Sequence, residues 1–208
     1  MSNTYWNTFY SSVSKKAPLK HPSQFAIFVY GETQDTNNMI EFGAGNGRDS
    51  FFFGTHGKKV LALDASDSAM NDNKDFADEN MLSNSTKFQR FEVGKDDLEK
   101  IEHDGEKKFI YTRFFLHSLD DTLLKEFAFL CSKLLISGEQ LFVEYRTKKD
   151  ESRPKVFNDH YRNYINPENL KCMFEDRGLV STYHVEGIGF AKYKDDDAYV
   201  ARTIFKKT

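Results

Sequence analysis

The sequence predicts an α/β fold, an open and mostly parallel sheet with helices on both faces. Three observations predict it. Short apolar runs alternate along the chain with segments of helical period, the pattern of strand–helix–strand units. One such run, Met39 to Phe42, leads through three glycines at alternate positions, Gly43, Gly45 and Gly47, into a helical pattern. A second run, Lys59 to Leu63, ends in Asp64, about twenty residues past the first glycine.

The elements follow in order. Tyr5 to Ser14 and Ser23 to Gly31 read as two short helices, with His21-Pro22-Ser23 supplying a stop and then an N-cap for the second. The first strand covers Asn38 to Phe42. The next helix opens near Gly47, carries Phe51, Phe52 and Phe53, and ends at Gly57. The second strand is Lys59 to Leu63, and Ser66 caps a helix reaching Leu82. Strands three and four fall at Lys87 to Val93 and Lys108 to Thr112. Asp120-Asp121 opens the clearest helix. In it Leu123, Leu124, Phe127, Leu130, Cys131, Leu134 and Leu135 recur at three- and four-residue steps, a core-facing stripe. Ser137-Gly138 ends it, and Gln140 to Tyr145 is the fifth strand. Arg146 to Ile165 is charged, aromatic and weakly periodic, and connectors of that length in a compact domain are often functional. Pro167 starts the last helix, Gly178 stops it, and two strands close the pattern at Val180 to Glu186 and Ala198 to Phe205.

At 208 residues the chain reads as one compact domain, 1–208, with residues 1–32 as a helical cap and 146–166 as a substrate lid. The net charge of −3 argues against a general electrostatic grip on nucleic acid or anionic lipid. No run is long and apolar enough to span a membrane, and Met1 to Trp6 lacks the basic start and apolar core of a secretory signal. The two cysteines, Cys131 and Cys172, are expected as buried free thiols in a reducing cytoplasm. The six histidines are dispersed without ligand spacing, so no metal site is expected. Oligomeric state is left open.

The glycine loop separates two kinds of ligand. A dinucleotide fingerprint puts its third glycine three residues after the second, whereas Gly45 and Gly47 are two apart. Glu41, just before the loop, would repel a phosphate and suit a cationic group. Asp64 is placed to accept from ribose hydroxyls. Glu41-x-Gly43-x-Gly45-x-Gly47 followed by Asp64 resembles the pattern of class I S-adenosylmethionine-dependent methyltransferases. The resemblance implies S-adenosylmethionine as cofactor. It also implies a seven-stranded Rossmann-like sheet of order 3-2-1-4-5-7-6, with the last strand antiparallel. Tyr5-Trp6, Pro22 to Ala26, Gly45 to Ser50, Arg113 to His117, His160-Tyr161-Arg162 and Glu186-x-x-Gly189-Phe190-Ala191 further resemble a bacterial group. That group includes enzymes methylating O-antigen or other surface polysaccharides, some at a phosphate.

The resemblance implies roles residue by residue. Glu41, Gly43, Gly45 and Asn46 would cradle the methionine part of the cofactor, and Asp49 would either cap the following helix or touch cofactor. Asp64, with Ala65 and Ser66, would hold the ribose side. Glu92 with Val93 would meet adenine, with Asp96 as competitor. Arg113 could contact cofactor or an anionic substrate, and His117 could take a proton or merely pack. Tyr5 and Trp6 could close over the sulfonium, or only pack. His160, Tyr161 and Arg162 would reach the acceptor, His160 as a base and Arg162 by forked hydrogen bonds. The expected acceptor is a small molecule or glycan offering an oxygen, as a phosphate-type group or a sugar hydroxyl. Two rivals remain: a non-catalytic cofactor-binding partner subunit, and a nicotinamide-dependent oxidoreductase. Nucleic-acid modification is disfavoured, because Arg113-Phe114-Phe115 stands where such enzymes carry an Asn/Asp-Pro-Pro-aromatic motif.

Overall fold

The computed structural model of the chain describes residues 3–12, 21–101, 106–153, 155, 161–193 and 195–208. Its strands are β1 (Asn38–Phe42), β2 (Lys59–Asp64), β3 (Thr86–Arg90), β4 (Lys108–Arg113), β5 (Gln140–Arg146), β6 (Leu179–Gly187) and β7 (Val200–Lys207). They form one seven-stranded sheet of order β3-β2-β1-β4-β5-β7-β6. β1, β2 and β3 pair in parallel, while β7 runs antiparallel to both β5 and β6, as expected. The helices are α1 (Asn3–Ser12), α2 (Gln24–Glu32), α3 (Arg48–Thr55), α4 (Asp67–Glu79), α5 (Asp121–Leu134) and α6 (Pro167–Glu175). Among the described residues no helix is long and apolar enough to cross a membrane.

Helix starts follow side-chain caps. Ser23, Ser66, Asp120 and Asn166 each accept a backbone N–H from the first turn they precede, satisfying donors that have no partner inside the helix. Several ends differ from expectation, among them β7, which runs Val200–Lys207 rather than Ala198 to Phe205, and two of them have a plain cause. β3 stops at Arg90 rather than Val93, because its partner β2 ends at Asp64, opposite Arg90, and the chain then turns. α4 stops at Glu79 rather than Leu82, because Met81 takes a left-handed φ of 56° and lets the Leu82 amide reach back to the Ala77 carbonyl.

The chain divides into two compact units, Ser2–Phe109 and Ile110–Thr208. The core of the first is aromatic: Phe51 packs on Phe76 and Phe88 with ring centroids 4.9 Å apart in each case, and Phe42 meets Phe91 edge-on. In the second, Phe174 stacks on Phe205 at 4.7 Å and takes the edge of Phe127. Each such buried ring contributes about 1.5–3 kcal/mol over exposure. Cys131 lies in this core, where burial pushes its thiol well up. Cys172 corrects the expectation: it is exposed, because α6 buries Leu170 and Phe174 and Cys172 falls on the opposite side.

Candidate cofactor site

The glycine loop lies wholly in the first unit. Gly43, Gly45 and Gly47 have φ values of 76°, 54° and 70°, the left-handed region that side chains rarely adopt. At Gly45 a Cβ would also overlap the Tyr10 hydroxyl, so that side chain would have to shift. At Gly47, the N-cap of α3, a Cβ would stand 2.7 Å from the Phe51 ring. The loop is held from outside. Gly43 and Ala44 amides donate to the Leu63 carbonyl, and Asn73 Nδ2 of α4 donates to the Gly45 carbonyl at 2.8 Å.

Asp64 ties the loop to the end of β2. Its Oδ2 accepts the Gly45 amide and its Oδ1 the Ser66 amide, each at 2.9 Å. Burial raises its carboxyl, while these backbone bonds oppose the shift. Ser66 is itself fixed twice: its Oγ accepts from the Ala69 amide and donates to Asn7 Oδ1 of α1. Ala65 between them is half-buried. The carboxylate keeps further lone pairs, and the loop glycines hold backbone conformations that side chains rarely adopt. The residues present fit an adenosyl ligand.

Glu41, at the end of β1, is buried and accepts from Ser50 Oγ of α3 at 2.6 Å. Burial, with the Asp49 charge adding, pushes its carboxyl up to about 8. Asp49 serves the fold directly: Oδ1 accepts the Ser23 amide and Oδ2 the Ser23 hydroxyl, tying α3 to the start of α2. Asn46 is exposed at the tip of the loop.

Past β3, the Glu92 side chain pairs with Arg90 and Lys95, each at 2.7 Å, and Val93 is buried beside it. Asp96 accepts from the Glu92 amide, Arg90 and Lys100. Tyr5 lies on α1. Trp6 lies there too, but its side chain is outside the described residues.

Tyr10 and Asn73 escaped sequence reading. Burial pushes the Tyr10 phenol up, with the charges of Asp64 and Tyr5 adding. Asn73 had a signal: it interrupts the buried stripe Ala69, Met70 and Ala77 of α4, where a polar residue needs a partner.

The second unit holds Arg113, His117, Tyr161 and Arg162. Arg113 ends β4 and donates through Nε to Glu144 Oε1 at 2.8 Å, and Arg202 Nε donates to Oε2 at the same distance. Glu144 is fully buried, so two guanidiniums share one carboxylate. Phe114 follows with a φ of 56°, unusual for a bulky residue, and lies under the Arg113 guanidinium at 4.3 Å. His117 is buried in the turn Leu116–Ser118. Its Nδ1 accepts the Arg146 amide in a long bond of 3.4 Å, and its ring meets the edge of Phe114. Arg146 is buried between Asp150 and Asp196, at 2.6 and 2.7 Å. Arg162 is half-buried, and burial and then Arg146 lower its affinity for its proton. Tyr161 is half exposed, and His160 lies outside the described residues. Among the described residues no group of His, Cys, Asp and Glu could hold a metal ion.

No protein-family model and no curated protein matches the chain. Solved structures do. The CcbJ methyltransferase from Streptomyces caelestis is similar with a TM-score of 0.75 at 14% identity, over 100% of this chain and 100% of that one. A SAM-dependent methyltransferase from Anabaena variabilis gives 0.74 at 16% identity, over 99% and 93%. The [4+2]-cyclase SpnF gives 0.70 at 12% identity, over 88% and 80%. Likeness at such identities is a likeness of fold. The chain has the seven-stranded Rossmann-like fold of these methyltransferase structures.

Proposed function

We propose that this chain binds S-adenosylmethionine in its first unit and transfers the methyl group to an oxygen of a small-molecule or surface-glycan acceptor. The observation that carries the reading is the Asp64 carboxylate, which holds Gly45 and Ser66 by one oxygen each beside a loop whose three glycines take left-handed φ values. Asp64 binds the ribose hydroxyls. Glu41 faces the cationic methionyl end, where a positive charge restores its ionised form. When bound, the cofactor supplies a methyl group already activated by its sulfonium, so the protein's task is to align the acceptor oxygen and exclude water.

The second unit favours an acceptor that is already anionic. Arg113 and Arg162 carry guanidiniums, a chemistry suited to a phosphate or carboxylate. A second reading is cofactor binding without methyl transfer, and the likeness to a cyclase favours keeping it in view.

Calorimetric titration of S-adenosylmethionine into the wild type and Asp64→Ala tests the proposal. Binding by the wild type and its loss in the variant are expected, and similar tight binding by both removes Asp64 from the site. NAD binding in place of S-adenosylmethionine would overturn the reading. Cofactor binding with neither methyl transfer nor slow cofactor hydrolysis would favour the second one.

A further inference from the structure

Within the second unit, β5 ends at Arg146, opposite Val200 at the start of antiparallel β7. The turn ahead of β7 therefore stands at the carboxyl end of β5, the end at which open α/β sheets bind ligands. Arg146 is held there by two acids. Its Nη1 donates to Asp150 Oδ2 at 2.6 Å and its Nη2 to Asp196 Oδ2 at 2.7 Å. Asp150 is satisfied, since its Oδ1 accepts the Tyr199 amide at 2.7 Å. Asp196 is not. It is only 6% exposed, yet no donor reaches its buried Oδ1. Buried polar atoms left unpaired are rare and costly, so this one calls for an occupant.

The surrounding charge says which kind. Asp150 and Asp196 are balanced by Arg146 and by Lys155, whose Nζ lies 3.7 Å from Asp150 Oδ2. Arg162 adds positive charge that both acids feel. The oxygen thus lacks a hydrogen and not a counter-ion. A neutral hydroxyl supplies one, whereas an ammonium would add a cation to a cluster already balanced.

An aromatic residue shares the turn. Tyr193 and Asp196 pair directly, amide to carbonyl in both directions at 2.8 and 3.0 Å, which sets their side chains on one face. Tyr193 is 51% exposed. The next residue anchors the turn: Asp197 Oδ1 accepts the Gly189 amide at 2.7 Å, and its carbonyl accepts Arg153 Nε. A buried acceptor with an aromatic ring at its rim suits a pyranose, which offers hydroxyls at its edge and C–H groups on its face.

We propose that the Tyr193–Asp196 turn is a sugar subsite, in which Asp196 Oδ1 accepts a hexose hydroxyl and the Tyr193 ring covers the sugar's C–H face. The proposal rests on the acceptor reading above in one respect, that this sugar belongs to the methyl acceptor. The test is titration of the methyl glycosides of glucose, galactose and mannose, with ethanolamine as cationic control, followed by chemical shifts of the isotope-labelled protein. The proteins are the wild type, Asp196→Asn, which keeps a carbonyl for Arg146, and Tyr193→Ala, which alters an exposed side chain. Each is also titrated with S-adenosylmethionine.

At least one hexoside is expected to bind the wild type saturably. Each variant weakens it by roughly fivefold or more, the scale of one hydrogen bond or one aromatic face. S-adenosylmethionine affinity stays at the wild-type value in both. No hexoside binding by the wild type, undiminished binding in either variant, or a preference for ethanolamine overturns the proposal and leaves the cofactor reading intact. Hexoside binding as expected, with no binding of S-adenosylmethionine, keeps the subsite and overturns the methyl-transfer reading.

Discussion

The Gly45 amide donates to Asp64 Oδ2 at 2.9 Å, so an acid on one strand fixes the bend that follows another. Asp64→Asn replaces one oxygen by an NH2 group, which cannot accept, so either the Gly45 or the Ser66 amide loses its partner. A buried amide without an acceptor costs about 1–3 kcal/mol. The variant is expected to melt earlier in urea by that amount and to bind S-adenosylmethionine at least tenfold more weakly, by roughly one charge-assisted bond. Wild-type values for both would show that the bond is dispensable.

Gly45→Ala meets two obstacles, a left-handed backbone and the Tyr10 hydroxyl. A loss of about 1–3 kcal/mol is expected from backbone and overlap together. Tyr10→Phe removes the overlapping hydroxyl but leaves the ring carbon at 3.1 Å, so in the double variant it recovers part of the loss. Urea melts of the four-member cycle read this coupling. Strictly additive losses would mean that α1 does not lie against the loop in solution.

Glu41 makes stability depend on pH with a definite sign. Its carboxyl is raised from an ordinary 4.5 to about 8 by burial and by Asp49. A raised acid contributes its full stability below the unfolded value and loses it as pH climbs through the folded one. Stability should therefore fall between about pH 4.5 and 8, by a few kcal/mol at most. Glu41→Gln, whose carbonyl still accepts the Ser50 hydroxyl, is expected to flatten this slope and gain on the wild type at pH 9. Parallel profiles from urea melts at pH 5 and pH 9 would contradict it.

The same carboxyl couples to ligand charge. A cationic methionyl end beside Glu41 favours its ionised form, so binding at pH 7 is expected to release close to one proton. Calorimetry in two buffers of different ionisation enthalpy measures that number, and Glu41→Gln should reduce it to near zero. No release by the wild type would place Glu41 away from the ligand.

Glu144 is fully buried between Arg113 and Arg202. Glu144→Ala strands two guanidiniums without their shared partner and is expected to cost about 3–5 kcal/mol, read as a shifted urea midpoint. A cost below about 1 kcal/mol would mean that water replaces the carboxylate.

The legible parts of this chain are those decided by near neighbours in sequence. Ser23, Ser66, Asp120 and Asn166-Pro167 announce helix starts because a cap and its amides lie within three residues. The loop glycines and Asp64 were legible for a related reason: turn and acid have few alternatives at that spacing. The Arg90 pairs were not legible, because they depend on Glu92 and Asp96 folding back after the strand has ended. Glu144 did carry a signal, as a charge within Leu141-Phe142-Val143-Glu144-Tyr145, a strand otherwise apolar and buried. Its partner Arg202 is 58 residues away, a distance no local pattern spans. Asp49 could be read as a cap or a ligand contact from sequence, since Ser23 lies 26 residues upstream.

That Asp49 contact has a practical consequence. The Ser23 amide has its hydrogen locked onto a carboxylate carried by the first turn behind the glycine bend. It can exchange with deuterated solvent only when that turn parts from the neighbouring helix. One amide signal thus becomes an intrinsic gauge of how often the bend breathes, readable with no label attached and no acceptor known.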